Sequence, residues 1–320
     1  MNLQPVEIAP LFGAPAAERD RADAAIAEAA STIGVLVVTG PPTLVPCDAE
    51  TRAELLAVFG LAAEEQQRLW RHAYAPENPS IYRGWSPRGA GAPVDIYDLG
   101  PDIAHELLAR TDDPLLGRTP LPPPELLPGW RELVAAYYRA LEHVGAALMR
   151  SLARSLGLEE SFFDAAFDGG ISTLRLMKYD AAGAEVPPGR GEHVDSGFVT
   201  LLAQHGVAGL QAMTLEGEWI DVPAYEDALV VNFGALLERW TSGRVRATPH
   251  RVVSRESRRY SIPFFYEPRV DAVIEPLPLA GAAPFEPFAY GDHLWTAMQA
   301  FPNFAGTAAL RPPRGATATT

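Results

Sequence analysis

Near the middle of the chain a histidine and a carboxylate stand two positions apart, His193 and Asp195, in the run EHVDSGFVTLLAQ. Both side chains bind divalent metals. In an extended strand residues i and i+2 share a face, whereas on a helix they diverge by about 200°. H-x-D is therefore a ready ligand pair if this run is a strand. A third ligand has to come from another element. Of the seven histidines, His250 in TPHRVVS lies in a second strand-like run, 55 positions after Asp195. That separation leaves room for a few strands to circle a barrel and return. His72, His105, His143 and His293 fall in helical or loop-like segments with no metal partner at strand spacing. His205 follows on a Gln-His-Gly turn that reads as surface.

Two imidazoles and one carboxylate leave coordination positions open, the ligand set of non-haem iron(II) oxygenases. Zinc held by the same residue types is the chemical alternative. A second constellation lies just beyond His250. Arg259 and Ser261 alternate with Tyr260 in RRYSIPFFYEP, so in a strand a guanidinium and a hydroxyl share one face. Such a pair grips a carboxylate, the guanidinium through two parallel N–H donors. Arg258 is expected to be the solvated neighbour.

Strands are needed to position these groups, and the second half of the chain supplies them. After Gly170 come short apolar or alternating runs between turn signals: ISTLRLMKY, HVDSGFVTLLAQ, GLQAM, EWIDV, ALVVNFG, RATPHRVV and RRYSIPFFYEP. This spacing predicts a sandwich or barrel of the jelly-roll type. The first half reads differently. A helix is expected over residues 17–32, a buried strand from Ile33 to Thr39, a helix over 48–71 and a long helix from Trp130 to Leu156, the last carrying Leu133, Tyr137, Leu141, Val144 and Leu148. Between them, Ala75 to Pro101 reads as a long loop, a length usual for functional or mobile loops. A terminal helix is expected over 291–304. The organisation expected is an N-terminal region of helices, strand and mouth loop over 1–125, a jelly-roll core over 126–310, and a flexible tail over 311–320. No internal repeat is present.

Bulk properties narrow the partners. The 320 residues are 48% hydrophobic and 21% charged, as in globular proteins. The net charge of −14 excludes a basic footprint for nucleic acid and disfavours anionic membranes. No run reaches the ~18 apolar residues of a membrane span, and MNLQPVEIAP lacks the basic-then-apolar pattern of a leader. Cys47 is the single cysteine, so neither an intramolecular disulfide nor a Cys-cluster zinc site is available. A small-molecule partner in the reducing cytoplasm is the expectation.

The runs HVDSGFVTLLAQ, GLQ, WIDVP, VVNFG, TPHRVV and RYSIPFF together resemble the isopenicillin N synthase-like family of 2-oxoglutarate and iron-dependent oxygenases, in order and rough spacing. IAEAASTIGVLVVTG resembles the family's first helix and strand, and YRGW a mouth-loop element. The likeness covers most of residues 5–305 and is densest over 171–270. It implies a mixed α and β fold with a double-stranded β-helix, or jelly-roll, core flanked by helices. It implies Fe(II) held at the catalytic centre by His193, Asp195 and His250. It further implies 2-oxoglutarate as co-substrate, its far carboxylate on Arg259 and Ser261 with Tyr179 reaching the same pocket, and dioxygen as oxidant. The reaction implied is oxidation of an unactivated C–H bond with release of succinate and CO2. Hydroxylation is the commonest outcome, with desaturation or cyclisation as alternatives.

The chain departs from the family pattern in places. Met177 and Asp180 stand where relatives often have Asn and Pro, Gly234-Ala235 where Gly-Asp is usual, and Gly40-Pro41-Pro42 in place of a G-H-G-like turn. On the substrate side the candidates are Tyr82, Arg83 and Trp85 from the loop, Phe198 and Phe233 from the barrel, and Trp295 and Phe301 from the terminal helix. Arg83 is the candidate anchor for a substrate carboxylate. The loop 75–101 and the terminal helix would form a closing mouth. Two other readings stand beside this one. An oxidase of the isopenicillin N synthase type would keep the iron and drop 2-oxoglutarate, and R-x-S occurs in that branch too. A catalytically silent binding protein on the same fold would be free to lose ligands, and here the triad is intact.

Overall fold

The structure, a computed structural model, describes residues 3–42, 48–89, 94–105, 112–180, 191–203, 208–253 and 258–315. Its strands are β1 (Val6–Glu7), β2 (Val35–Thr39), β3 (Gly84–Ser86), β4 (Val94–Leu99), β5 (Thr173–Asp180), β6 (Val199–Ala203), β7 (Leu210–Met213), β8 (Trp219–Asp221), β9 (Ala228–Phe233), β10 (His250–Val252), β11 (Arg258–Tyr266), β12 (Val273–Ile274) and β13 (Phe288–Ala289). Its α-helices are α1 (Ala17–Thr32), α2 (Ala49–Leu55), α3 (Ala63–Arg68), α4 (Trp130–Ser155), α5 (Asp164–Phe167), α6 (Ala235–Trp240) and α7 (Tyr290–Met298).

Eight strands form one sheet in the order β1-β2-β9-β6-β11-β5-β4-β3, and β10-β7-β8 form a second. An isolated bridge between His193 and His250 adds one more rung to the second sheet. Strand alternation gives the large sheet two unlike faces. One face, with Leu174, Leu176, Leu201, Ile262 and Phe264, packs against α4 in the main core. Helix α4 meets it with Val134, Tyr137, Tyr138, Leu141, Val144 and Leu148, the i, i+3, i+4 stripe of an amphipathic helix. Gly145 is where helix and sheet come closest: a Cβ there would stand 2.5 Å from the Tyr266 ring.

The other face looks toward the second sheet. Val35, Val37, Val230 and Leu202 meet Leu210, Ala212, Val222 and Val252 in a smaller core. Among the described residues these contacts run to β2, β9 and β6, while β11, β5, β4 and β3 lie beyond them. The sandwich is therefore closed at one end and open at the other. The open half carries Arg259, Ser261, Tyr179 and Met177 on its inward face, because Arg259 pairs with Tyr179 and Ser261 with Met177.

Three expectations need correction. The stretch 75–101 is not a continuous loop: β3 and β4 form a hairpin within it that pairs onto β5, and Trp85, Tyr97 and Leu99 are buried. Its Gly and Pro residues bracket short strands, and the alternation of Val94, Ile96 and Asp98 against Tyr97 and Leu99 decides the structure. The single helix over 48–71 is instead α2, a 3-10 turn over Leu56–Gly60 and α3. The terminal helix stops at Met298, and Pro302–Phe304 forms a 3-10 turn.

Candidate metal centre and its pocket

His193 and Asp195 were expected on one strand face. Only His193 is in extended pairing, through its bridge to His250, and the chain bends over residues 196–198 before β6 begins. The three side chains converge all the same. Their ligand atoms lie within 4.8 Å of one another. Asp195 Oδ1 stands 3.7 Å from His193 Nε2 and 3.9 Å from His250 Nε2.

The surroundings set which atoms are offered. His193 Nδ1 lies 2.8 Å from the Gly191 carbonyl, and His250 Nδ1 lies 3.1 Å from the Thr248 carbonyl. A carbonyl only accepts, so each Nδ1 carries the proton and each Nε2 presents a lone pair. Asp195 Oδ2 accepts from Thr200 Oγ1 at 2.7 Å and from Asn232 Nδ2 at 2.8 Å, leaving Oδ1 toward the histidines. Burial pushes this carboxyl up, but the field of His250 when that ring is protonated and the hydrogen bonds donated by Thr200 and Asn232 outweigh it and hold it below the ordinary range. The backbone is fixed as well. Ala235 N donates to Asp195 O at 2.8 Å and Gly234 N to Phe198 O at 2.8 Å. The donor set, two imidazole nitrogens and one carboxylate oxygen within 4.8 Å of one another, suits iron(II).

On β11, Arg259 and Ser261 are both 4% exposed. The Arg259 guanidinium stacks over the Tyr179 ring at 4.9 Å, and the Tyr179 hydroxyl points to Met177 Sδ at 3.7 Å. Thr200 pairs with Phe265 on β11, so the residue that steadies Asp195 and the Arg259–Ser261 face belong to one continuous surface.

The aromatic candidates divide. Trp85 is on the opposite face of β3, packed on Phe59 and Tyr97, with Nε1 donating to Asp95. Phe198 packs on Phe167, Trp240 and Tyr290, and Phe233 is buried in the same helix-side core. Trp295 is buried with its Nε1 on the Ala308 carbonyl, while Phe301 is exposed. Arg83 is 1% exposed and bonds Thr173 Oγ1, the Ile171 carbonyl at 2.7 Å and the Ser172 carbonyl at 3.4 Å, so it ties its loop to the start of β5. Tyr82 lies over that guanidinium at 4.4 Å, half-buried, with its ring 6.0 Å from Phe304. His205 is outside the described residues.

Four groups give no signal in the sequence. Thr200 and Asn232, polar residues inside apolar strands, hold Asp195. Glu267 receives the Tyr290 hydroxyl and lies against Gly197. Burial pushes its carboxyl up to about 8; the Tyr290 hydrogen bond opposes this, the charge of Asp195 adds to it and Arg83 opposes it again. Arg175, Asp98 and Arg71 form an ion cluster on the open half.

The sequence profile of the 2OG-Fe(II) oxygenase superfamily matches residues 171–268, the stretch that holds all three candidate ligands and Arg259. Isopenicillin N synthase of Streptomyces clavuligerus is 31% identical over 92% of this chain and 94% of its own. The 2-oxoglutarate-Fe(II) type oxidoreductase hxnY of Emericella nidulans is 38% identical over 47% of this chain and 44% of its own. Among solved structures, a full-length Neurospora crassa protein crystallised in complex with alpha-KG superposes with a TM-score of 0.77 at 26% identity, covering 92% of this chain and 95% of that one. The chain belongs to the 2OG-Fe(II) oxygenase superfamily. It is an oxidoreductase with the double-stranded β-helix core of that family, and with the family come its cofactors, Fe(II) and 2-oxoglutarate. No helix among the described residues is long and apolar enough to cross a membrane.

Proposed function

We propose that this enzyme hydroxylates an unactivated C–H bond of a small molecule while converting 2-oxoglutarate to succinate and CO2. The observation that carries the reading is one continuous surface bearing both the His193–Asp195–His250 cluster and the buried Arg259–Ser261 pair. His193 Nε2, His250 Nε2 and Asp195 Oδ1 would hold iron. Arg259 and Ser261 would take the far carboxylate of 2-oxoglutarate, with Tyr179 fixing the guanidinium plane. Bound together, iron and 2-oxoglutarate would activate dioxygen, the oxidant, with one oxygen atom going to the substrate and the other to succinate. The protein's part is to orient the reactants and exclude water, which the Val35, Val230 and Leu202 wall does from the closed end. Among the loop candidates, Tyr82, half-buried over the Arg83 guanidinium, would be the substrate contact.

Truncating one member of a buried charge pair costs about 2–5 kcal/mol, and about 1.4 kcal/mol is tenfold. Arg259→Ala should therefore weaken 2-oxoglutarate binding roughly 30-fold or more, read from the visible band of the anaerobic Fe(II) chelate, with iron affinity nearly unchanged. His250→Ala should abolish both. The oxidase reading draws on the likeness to isopenicillin N synthase over 92% of the chain. Product formed at full rate with no 2-oxoglutarate added, and without succinate, would favour it.

A further inference from the structure

A second cation faces the open half of the sandwich. Arg175 lies on β5, two residues from Met177 and four from Tyr179, and so on their face. Its guanidinium stands 5.2 Å over the ring of Phe265, the residue that pairs with Thr200. Adjacent strands are about 4.8 Å apart and next-nearest residues along a strand about 6.8 Å. Arg175 thus starts roughly 12 Å across the sheet from Thr200, which holds Asp195. Its side chain shares the gap between with Phe265.

The guanidinium is held side-on. Nε and Nη2 meet the two oxygens of Asp98 at 2.6 and 2.9 Å. Asp98 also accepts from Arg71 Nη2 at 2.8 Å, and Arg71 is 2% exposed. Burial pushes the Asp98 carboxyl up, but the charges of Arg175 and Arg71 outweigh it and bring it down to about 2. Two guanidiniums therefore share one carboxylate, and the cluster keeps one positive charge. Nη1 of Arg175 has no protein partner among the described residues, and the side chain is 25% exposed where Asp98 is 5%. The end-on edge, Nη1 with the second N–H of Nη2, is a two-donor fork in fixed orientation. Asp98 and Phe265 hold it in place before any ligand arrives.

We propose that Arg175 is a substrate-binding residue whose end-on edge takes a carboxylate, so that the primary substrate is a small organic acid. The inference rests on the oxygenase reading of the pocket. It also moves the anchor from Arg83, whose donors are committed to Ile171, Ser172 and Thr173. Arg259 serves the co-substrate on the neighbouring strand, and Arg175 serves the substrate.

The test uses the protein loaded anaerobically with Fe(II) and saturated with 2-oxoglutarate. Phenylacetate, 3-phenylpropionate and hexanoate are titrated calorimetrically against their primary amides. An amide cannot complete the fork–fork pairing, and its absence should cost about tenfold or more in affinity. At least one acid should bind that much more tightly than its amide. Arg175→Gln should abolish the preference, while Asp98 keeps Arg71. Arg175→Lys, which keeps the charge and a partner for Asp98, should retain part of it. Affinity for 2-oxoglutarate should stay the same in both variants, and that readout also shows that they are folded. Equal binding of acids and amides, no acid binding at all, or a preference that survives Arg175→Gln overturns the proposal. A wild-type protein that fails to take up 2-oxoglutarate overturns the oxygenase reading instead, and the acid–amide comparison on that same protein still decides Arg175.

Discussion

Asp195 divides its two oxygens between two tasks. Oδ2 is bound by Thr200 and Asn232, and Oδ1 is turned to the histidines. The ligand types and the His193–Asp195 spacing were legible in the sequence because they are local. Thr200 and Asn232 were not, because their partnership depends on Thr200 lying opposite Asn232 across β6 and β9. The same limit applies to the cation proposed for the substrate. Arg83 and Arg175 are both arginines near aromatic residues, and only the fold says which one keeps a free edge. Outer partners of metal ligands are worth about 10–100-fold in metal affinity. Thr200→Val and Asn232→Leu should each weaken iron binding by about that factor with little change in fold, and Thr200→Ser should restore most of it. Iron titration against a competing chelator measures this. Affinities equal to wild type in both variants would mean that Asp195 orients itself without them.

Elements carry the site as much as residues do. The turn from β9 into α6 passes directly under the metal-ligand bend. Gly234 N and Ala235 N hold the Phe198 and Asp195 carbonyls, and a Cβ on Gly234 would crowd the Gly197 carbonyl and stand 3.0 Å from Asp195 O. The backbone at Gly234 is extended, with φ −97°, so space and not conformation demands the glycine. The major strands and α4 were legible in the sequence because each has a long periodic signal. The β3–β4 hairpin was not, because a three-residue β3 in a stretch rich in Gly and Pro looks like loop. Nor was the bend over residues 196–198, just after Asp195, in a run that reads as strand. Gly234→Ala should destabilise the metal-free protein by about 1–3 kcal/mol, as overpacking does, and should also lower iron affinity, because the relief of crowding moves the Asp195 backbone. Denaturant melts and iron titration on one preparation test both. An unchanged iron affinity alongside lost stability would uncouple the turn from the ligand.

At the scale of the whole molecule, an ion cluster binds the far end of the chain to its first half. Arg311, inside the segment expected as a tail, is 3% exposed. Its Nε meets both oxygens of Asp113 at 3.0 Å and its Nη1 meets Asp292 at the start of α7 at 2.5 Å. The side chains of Arg311 and Asp113 are 1% and 0% exposed, so neither charge has water to fall back on. Asp113 opens the 3-10 turn Pro114–Leu116, capping it through Leu115 N. Three residues beyond that turn, Thr119 bonds Asp102 and Gly100, next to the end of β4. The cluster thus joins α7, the chain end and the approach to the open half of the sandwich. Removing one partner of a buried pair costs up to about 3–5 kcal/mol when the other charge is left stranded, less here because Asp113 keeps Arg314 at 3.5 Å and Arg311 keeps Asp292, whereas replacing both by apolar residues costs far less. Arg311→Met should therefore destabilise the protein by roughly 2–4 kcal/mol in equilibrium denaturation. Asp113→Leu should cost a comparable amount, since it strands Arg311 beside Asp292 alone. The double variant should be more stable than the sum of the two losses implies, by more than the few tenths of a kcal/mol expected of independent sites. Additive losses would show that the two side chains act separately and that the chain end is held by other contacts.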